Sequence, residues 1–253
     1  MMNITPTVKQ LLIINILFYI GSMIVGEPAY KMLSLHFFEN PDFHVWQIFT
    51  HMFMHASLPN IMHIAFNMFA LYSFGSALEH FWGGRKFVFF YISCGLGAAL
   101  LHTGVNYYFF ENAINILVEN GYAKNEILKV LADGNFNPHW QQLLSESDFQ
   151  EFIGTYIGTV VGASGAIYGL LVAFAFMFPN AELALMFIPI PIKAKYFVPG
   201  ILLIDLFLGF KGQSIFGAGS TGIAHFAHIG GAVTGYLMMW YWKKTQFNNN
   251  RWN

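Results

Sequence analysis

The sequence predicts an all-α membrane protein, a polytopic bundle of six transmembrane helices. Of its 253 residues, 56% are hydrophobic and 10% are charged, whereas about 25% are charged in a typical soluble domain. The charged residues also leave long gaps, and a helix that crosses lipid needs about 20 mostly apolar residues. The net charge of −1 provides no positive excess for phosphate backbones, so nucleic-acid binding is not expected.

The gaps between charged residues predict the spans in order. Five gaps lie between Lys9 and Glu27, Asp42 and Glu79, Lys86 and Glu111, Glu151 and Glu182, and Lys211 and Lys243. One more span is expected near residues 196–210, which are apolar apart from Asp205. It is the fifth in chain order, so the span between Lys211 and Lys243 is the sixth. The first gap also suits the apolar core of a signal peptide, because it is short and follows a lysine.

Lys and Arg predict the orientation, because in short loops they concentrate on the cytoplasmic side. With six spans, the termini and the loops after the second and fourth spans share one side. That side holds eight of the twelve basic residues: Lys9, Arg85, Lys86, Lys193, Lys195, Lys243, Lys244 and Arg251. Both termini are therefore expected in the cytoplasm. No organellar presequence is visible, which favours the cytoplasmic membrane of a bacterium.

Residues 107–155, between the third and fourth spans, are expected to form a helical insertion on the extracytoplasmic side. From Glu111 to Asp133, apolar residues recur every three or four positions, which is typical of amphipathic helices. The insertion either caps the bundle or acts as a lid or docking surface that restricts which substrates enter. The chain as a whole, residues 1–253, is expected to form one domain with a flexible tail over residues 246–253.

Three groups of polar and small residues lie inside predicted spans, where polar side chains are costly and therefore candidates for function. His63 and Asn67 are four residues apart and project from one helix face. The other two groups are Gly162, Ser164, Gly165, Tyr168 and Gly169 in the fourth span, and His225, His228, Gly231 and Gly235 in the sixth.

Ser164 and His228 have the chemistry of a nucleophile and its base. A serine hydroxyl is a weak nucleophile until a base takes its proton, and histidine is the usual base. The glycines beside each residue permit their two helices to approach closely. Tyr168 lies one turn after Ser164 and is expected to pack on the imidazole.

The length of the fourth span predicts the position of Ser164. Residues 164–178 form about 22 Å of helix, too short for a hydrocarbon core of about 30 Å. The preceding residues 153–163 are expected to run extended into the bundle. Ser164 is then at a helix N-terminus below a water-accessible cavity, where free N–H groups favour a developing oxyanion.

Together, the three groups resemble the signature of the rhomboid family of intramembrane serine proteases, over about residues 47–242. The resemblance implies that Ser164 is the nucleophile and that His228 is the general base and then the acid. It implies an oxyanion site of His63, Asn67 and the Ser164 backbone N–H. It also implies cleavage of transmembrane proteins near the membrane surface, from a cavity open to the extracytoplasmic side, without metal or other cofactor.

The resemblance also assigns supporting roles. Tyr168 supports His228, and Gly162 lets the loop approach the scissile carbonyl. The fifth span, with its prolines, is the implied substrate gate, and a merely kinked helix is the alternative. These prolines are Pro189, Pro191 and Pro199. Gln47 departs from the family, which often has arginine there, so any role of that arginine in anchoring the loop at the membrane interface is expected to be absent.

Other residues have less specific interpretations. His51 and His55 suit either a metal site or, preferably, structural hydrogen bonds in a loop. Cys94 is expected to be a small core residue. Asp205 either lines the cavity or pairs with a polar group on a neighbouring helix, and His225 is expected to have no catalytic role.

The sequence offers four alternatives to a serine protease, with unequal support. A catalytically silent rhomboid-like protein that binds transmembrane helices is the main alternative, and the presence of both Ser164 and His228 argues against it. Proton or ion transport has no inverted repeat to support it. A zinc protease would need His-Glu-x-x-His, which the sequence lacks, and an aspartyl protease would need two intramembrane aspartates.

Overall fold

The computed structural model describes residues 3–185, 188–211 and 224–246. Helices dominate this part of the chain, as the sequence predicts. Two pairs of short antiparallel strands accompany them, and the sequence did not predict these. The expected flexible tail lies outside the described residues from residue 247 onwards.

The first half of the chain contains six helices and one strand. They are α1 (Pro6–Val25), α2 (Glu27–Leu33), β1 (Leu35–His36), α3 (Gln47–Thr50), α4 (Ile61–Ala70), α5 (Ser76–Trp82) and α6 (Gly84–Glu119). A 3-10 turn, His51–Phe53, follows α3, and a π-helical turn, Leu71–Gly75, joins α4 to α5.

The second half contains the remaining helices and strands of the described residues. They are α7 (Lys124–Ala132), α8 (Trp140–Leu143), α9 (Glu146–Ile157), β2 (Thr159–Val160), α10 (Ser164–Met177), β3 (Glu182–Leu185), β4 (Ile188–Lys193), α11 (Ala194–Lys211) and α12 (Ala224–Gln246). Strand β1 pairs with β2, and β3 pairs with β4.

Within the described residues, three helical segments are long and apolar enough to cross a membrane. They are α1, the continuous segment Ile61–Trp82 and α6. Helix α10 is apolar but has only 14 residues. The second charge-free stretch is not helical throughout, since residues 43–60 form a loop with short helical turns and the long helix begins at Ile61.

The prolines assigned to the fifth span are divided between two elements. Pro189 and Pro191 lie in β4, and Pro199 lies inside α11. The expectation that all three belong to one irregular helix was therefore wrong. Proline has no N–H to donate to a strand ladder and is tolerated at sheet edges, and both strands of a two-stranded sheet are edges.

Helices α6, α10 and α12 pack together at the centre of the bundle and make its most extensive contacts. Their close approach depends on small residues. A Cβ on Gly169 of α10 would lie 2.3 Å from the Sγ atom of Cys94 in α6, so the cysteine fills the space that the glycine leaves. Cys94 is fully buried in the apolar core, as expected for a small core residue.

The carboxylate of Glu79 caps the N-terminus of α1. It accepts hydrogen bonds from the backbone N–H groups of Thr7 (2.9 Å) and Val8 (2.8 Å), and from the Thr5 hydroxyl. The first N–H groups of a helix have no partner inside it, and the positive end of the helix dipole favours an anion there. Glu79 therefore ties the start of α1 to the middle of α5.

Helix α6 continues beyond the expected start of the insertion, to Glu119. Its 36 residues are about 54 Å long, which exceeds a hydrocarbon core of about 30 Å. Helices α7, α8 and α9 pack on this extension through a second apolar cluster. Its members include Phe110, Ile114, Leu117, Ile127, Trp140 and Phe152. The segment thus has a core of its own.

The β1–β2 pair connects the loop after α2 to the segment that leads to Ser164. Leu35 pairs with Val160, and His36 pairs with Thr159. The Asn40 side-chain amide adds a hydrogen bond of 2.8 Å to the Tyr156 carbonyl. Residues 158–160 are extended, as expected. Residues 153–157 belong to α9 and Ala163 has helical backbone angles, so the expectation of an extended segment over 153–163 was wrong at both ends.

Candidate active site

Ser164 is the first residue of α10, and His228 faces it from α12. The His228 Nε2 atom lies 2.9 Å from the Ser164 Oγ atom. This distance is within the range that proton transfer between a nucleophile and its base requires. The structure therefore brings the two residues of the predicted pair into direct contact.

Glycines explain how the two helices come close enough for this contact. A Cβ on Gly231 would lie 1.8 Å from the carbonyl oxygen of Gly165, and one on Gly235 would lie 2.8 Å from the Cα atom of Gly169. Real Cβ atoms do not make such contacts, so neither α12 position accepts a side chain without movement. The predicted close approach of the glycine faces is confirmed.

Tyr168 stacks on His228. Their ring centroids are 4.2 Å apart and the ring planes differ by 8°. Since Tyr168 is one turn after Ser164 on the same helix, α10 supplies both the hydroxyl and the surface against which the imidazole lies. The stack restricts the plane of the imidazole ring.

Gly162 shapes the space beside Ser164. Its φ angle is +128°, a conformation that favours glycine, and its N–H donates to the His51 carbonyl at 2.9 Å. A Cβ there would lie 3.0 Å from the His63 Nε2 atom and 3.6 Å from the Ser164 Oγ atom. His63 and Ser164 therefore border the same small space, which a side chain at position 162 would fill.

The hydrogen bonds of His63 indicate its tautomer. The Ala56 backbone N–H donates to the His63 Nδ1 atom at 3.2 Å, so Nδ1 is the acceptor and a neutral ring carries its hydrogen on Nε2. The ring of His55 packs against that of His63, with centroids 5.3 Å apart. His63 thus presents an N–H donor to the space beside Ser164.

Asn67 is buried one turn after His63 on α4. Its side-chain amide donates to the His63 carbonyl at 2.7 Å. One of the two amide hydrogens is used in this bond, and the second remains for another acceptor. The predicted common face of His63 and Asn67 is present.

Gln47 organises the segment that precedes α3. Its side chain is fully buried, accepts from the backbone N–H groups of His36 and His44, and donates to the carbonyls of Lys31 and Asp42. The Gln47 side chain therefore ties these backbone groups together, a role that the sequence did not predict. A glutamine amide has both donors and an acceptor, so it serves backbone groups of both kinds.

His51 and His55 make backbone hydrogen bonds. The His51 Nδ1 atom lies 2.8 Å from the Gln47 carbonyl, and the His55 Nδ1 atom lies 3.3 Å from the Phe53 carbonyl. Burial lowers the pKa of His51 to about 4 and that of His55 to about 3, so both rings are neutral at pH 7. These contacts favour the structural interpretation over a metal site.

Asp205 lies beside the candidate site, on α11. Its Oδ1 atom is 2.5 Å from the His225 Nδ1 atom and 3.4 Å from the His228 Nδ1 atom. Of the two positions that the sequence left open, Asp205 therefore pairs with a neighbouring helix, α12. That this pairing also reaches His228 could not be predicted from the sequence, where the one available signal was an acid in an otherwise apolar span.

The cluster of Asp205, His225 and His228 has ligand atoms within 4.8 Å of one another. A metal ion bound at about 2.0–2.2 Å would separate its ligand atoms further than the 2.5 Å between Asp205 and His225. The arrangement as it stands is a hydrogen-bonded cluster and not a metal site.

The fold and these contacts define a helical integral membrane protein with a serine and a histidine in contact inside its bundle. The family model for the rhomboid domain matches residues 42–245. The chain therefore belongs to the rhomboid family.

Two curated proteins illustrate the relationship. Rhomboid protein 1, mitochondrial, from Saccharomyces cerevisiae is 22% identical over 187 residues, which are 72% of this chain and 38% of that protein. Rhomboid protease GlpG from Salmonella choleraesuis is 34% identical over 84 residues, which are 33% of this chain and 29% of that protein. The chain thus spans less than half the length of each relative.

Proposed function

We propose that this protein is an intramembrane serine protease that cleaves transmembrane proteins with a dyad of Ser164 and His228. The observation that carries the proposal is the 2.9 Å contact between Ser164 Oγ and His228 Nε2. Membership of the rhomboid family and similarity to a rhomboid protease support it. No cofactor is needed for this chemistry.

In the first half of the reaction, Ser164 Oγ attacks the carbonyl carbon of the scissile peptide. His228 Nε2 takes the hydroxyl proton as the new C–O bond forms. When the tetrahedral intermediate collapses, the C–N bond breaks and His228 gives the proton to the leaving amine. The products of this half are an amine fragment and an acyl ester on Ser164.

In the second half, water enters the cavity and His228 takes one of its protons. The hydroxide attacks the ester carbonyl, and a second tetrahedral intermediate forms. Its collapse breaks the bond to Ser164, whose oxygen recovers the proton from His228. One water is consumed and a carboxylic acid is released, so the dyad returns to its starting state.

The developing oxyanion is stabilised by N–H donors from α4 and from the start of α10. In this proposal the donors are the Ser164 backbone N–H, the Nε2–H of His63 and the free amide hydrogen of Asn67. The position of His63 Nε2 beside Gly162 and Ser164 supports this role. Donors that are held in place before the reaction stabilise the oxyanion more than water does, because they do not have to reorganise as the negative charge develops.

The proposed topology has six spans in one domain: α1, Ile61–Trp82, α6, α10, α11 and α12. Lys86 lies 4.0 Å from the Trp242 ring centroid, and Lys243 lies 5.5 Å from that of Phe176, so basic residues gather at the end of α10 opposite Ser164. By the positive-inside rule, this end and both termini face the cytoplasm, in a bacterial cytoplasmic membrane. Ser164 and the insertion then face the extracytoplasmic side.

The test is labelling of the detergent-solubilised protein with a fluorescent fluorophosphonate, which reacts with activated serines. Wild type is expected to label, and Ser164→Ala and His228→Ala are each expected to abolish labelling and cleavage of a transmembrane peptide. Ser76→Ala is the matched control, because Ser76 is also a buried serine of a membrane helix, and it is expected to label as wild type does.

Absence of labelling in folded wild type, together with absence of cleavage, would contradict the proposal. It would favour the alternative of a rhomboid-like protein that binds transmembrane helices without cutting them. Cleavage that survives in Ser164→Ala would exclude the proposed nucleophile.

A further inference from the structure

We propose that Asp205 is a positioning residue for His228, so that the Ser164–His228 pair becomes a triad of serine, histidine and carboxylate. This inference rests on the proposed function and goes beyond its dyad. The carboxylate comes from α11, the imidazole from α12 and the hydroxyl from α10. Three helices are therefore needed to assemble the site.

The contacts follow the order that a positioning carboxylate requires. On one edge of the His228 ring, Nε2 is 2.9 Å from Ser164 Oγ. On the other edge, Nδ1 is 3.4 Å from Asp205 Oδ1. The second distance is at the long end for a hydrogen bond, and such bonds in free enzymes often shorten when the substrate or transition state is bound.

The carboxylate selects the tautomer of His228 that the reaction needs. To take a proton at Nε2, the neutral ring must carry its hydrogen on Nδ1. A carboxylate accepts hydrogen bonds and donates none when ionised, so Asp205 favours hydrogen on the Nδ1 atom that faces it. Tyr168 restricts the ring plane by stacking, but a stack does not distinguish the two nitrogens.

The carboxylate also stabilises the charge that the reaction creates. When His228 takes the Ser164 proton it becomes an imidazolium, and Asp205 is 3% exposed, so the two opposite charges are poorly screened by water. The attraction exists only after proton transfer, and an interaction that is stronger in the transition state accelerates the reaction. The proton stays on His228 and does not move to Asp205.

Asp205 is not saturated by its bond to His225. Its Oδ2 atom is buried and accepts no hydrogen bond within 3.5 Å among the described residues, and the Tyr168 hydroxyl also interacts with the carboxylate. Its Oδ1 atom is shared between the two histidines, at 2.5 Å and 3.4 Å. Asp205 therefore faces both rings, which a carboxyl group committed to a single partner would not do.

The competing explanation is that Asp205 only ties α11 to α12 through His225. The two explanations differ in which histidine matters for the reaction. Asp205→Asn keeps the shape and removes the negative charge. His225→Phe keeps a ring of similar size and removes the bond to Asp205, and it leaves the carboxylate available to His228. His225→Phe is therefore the matched control.

The experiment measures the second-order rate of fluorophosphonate labelling and, for a transmembrane peptide, kcat and KM. Asp205→Asn is expected to lower the labelling rate and kcat by at least about tenfold, towards the roughly 10⁴-fold loss known for a positioning aspartate, with KM little changed. Asp205→Glu, which keeps the charge, is expected to recover part of the loss. His225→Phe is expected to stay within about threefold of wild type.

Two results would overturn the inference while leaving the dyad intact. One is an Asp205→Asn labelling rate equal to that of wild type. The other is an equal loss in Asp205→Asn and His225→Phe, which would assign the effect to helix packing. If wild type itself does not label, the proposed serine-protease function is contradicted. If wild type labels but Asp205→Asn labels equally fast, only the role of Asp205 is contradicted.

A measurement on wild type tests the role of Asp205 even if the Asp205→Asn variant does not fold. Nitrogen-15 NMR of histidine-labelled protein, with His228 assigned from the spectrum of His228→Gln, reports which ring nitrogen carries the hydrogen. Hydrogen on Nδ1 of His228 is the expected result. Hydrogen on Nε2 in neutral His228 would contradict the role given to Asp205.

Discussion

A methyl group on Gly231 would lie 1.8 Å from the carbonyl oxygen of Gly165, so the backbones of α10 and α12 are in contact next to the Ser164–His228 pair. The contact is with backbone and not with the end of a flexible side chain. The two helices therefore have to separate to accept any larger residue. The geometry of the candidate site depends on this one glycine as much as on the residues that carry the chemistry.

Gly231→Ala is accordingly expected to lower both stability and activity. Overpacking costs about 1–3 kcal/mol or more, and separation of the helices lengthens the distance between Ser164 and His228. Thermal unfolding and fluorophosphonate labelling measure the two effects. Gly104→Ala is the control, because a Cβ on Gly104 of α6 meets nothing within 4 Å. Equal behaviour of the two variants would contradict the packing argument.

Asn67→Ala is expected to lower kcat of transmembrane-peptide cleavage about 10²- to 10³-fold with little change in KM, as loss of one oxyanion donor does. Asn15→Ala is a closely matched control. Asn15 is also buried, and its amide donates to the carbonyl of Leu11 at 2.7 Å, as that of Asn67 does to His63. A similar kcat for both variants would remove Asn67 from the oxyanion site.

Gln47→Leu is expected to destabilise the protein by several kcal/mol, because each buried backbone group left without a partner costs about 1–3 kcal/mol. The side chain of Gln47 hydrogen-bonds to N–H and carbonyl groups between Lys31 and His44. Gln141→Leu is the control, because it makes the same chemical change at an exposed position of α8 and does not remove the hydrogen bonds of Gln47. Chemical denaturation of both variants checks the difference, and similar midpoints would show that Gln47 is not the anchor.

Glu151 gives a pH dependence to the insertion. Burial, with a contribution from Asp148, raises the pKa of Glu151 from 4.5 to about 7. Between these values the folded state keeps a proton that the unfolded state releases, so stability falls as pH rises from about 5 to 8. In Glu151→Gln, stability is expected to fall less than in wild type over this pH range. Thermal unfolding at several pH values measures the difference.

Glu126→Gln, at an exposed site on α7, is the control for the Glu151 experiment. This variant is expected to keep the pH dependence of wild type. If Glu151→Gln and wild type lose stability equally over the same range, the burial of Glu151 is not the cause.

Trp140→Ala tests whether the insertion restricts substrates. Trp140 is 1% exposed in the core of the insertion, so its truncation is expected to cost about 3–5 kcal/mol locally. We expect unchanged labelling by the small fluorophosphonate and an altered rate or site of cleavage for transmembrane substrates. Trp240→Ala, at a half-exposed tryptophan of α12, is the control. An unchanged cleavage pattern in Trp140→Ala would favour a simple cap.

The sequence alone predicted the membrane class and the residues of the candidate site. Long charge-free stretches follow from the absence of water in lipid, and this constraint acts on each segment separately. The start of α10 at Ser164 followed from counting residues against membrane thickness. The glycine faces were visible because positions three and four apart share one side of a helix.

Only the tertiary structure decided what joins distant segments. Asp205 and His228 are 23 residues apart and on different helices, and no periodicity within either helix encodes their contact. No periodicity encodes the contacts of Gln47 with backbone groups of residues 31–44 either. Nor does it encode the contact of the Glu79 carboxylate with the start of α1. Buried polar groups must find partners wherever the fold brings them, so local patterns identify such residues but not the atoms that satisfy them.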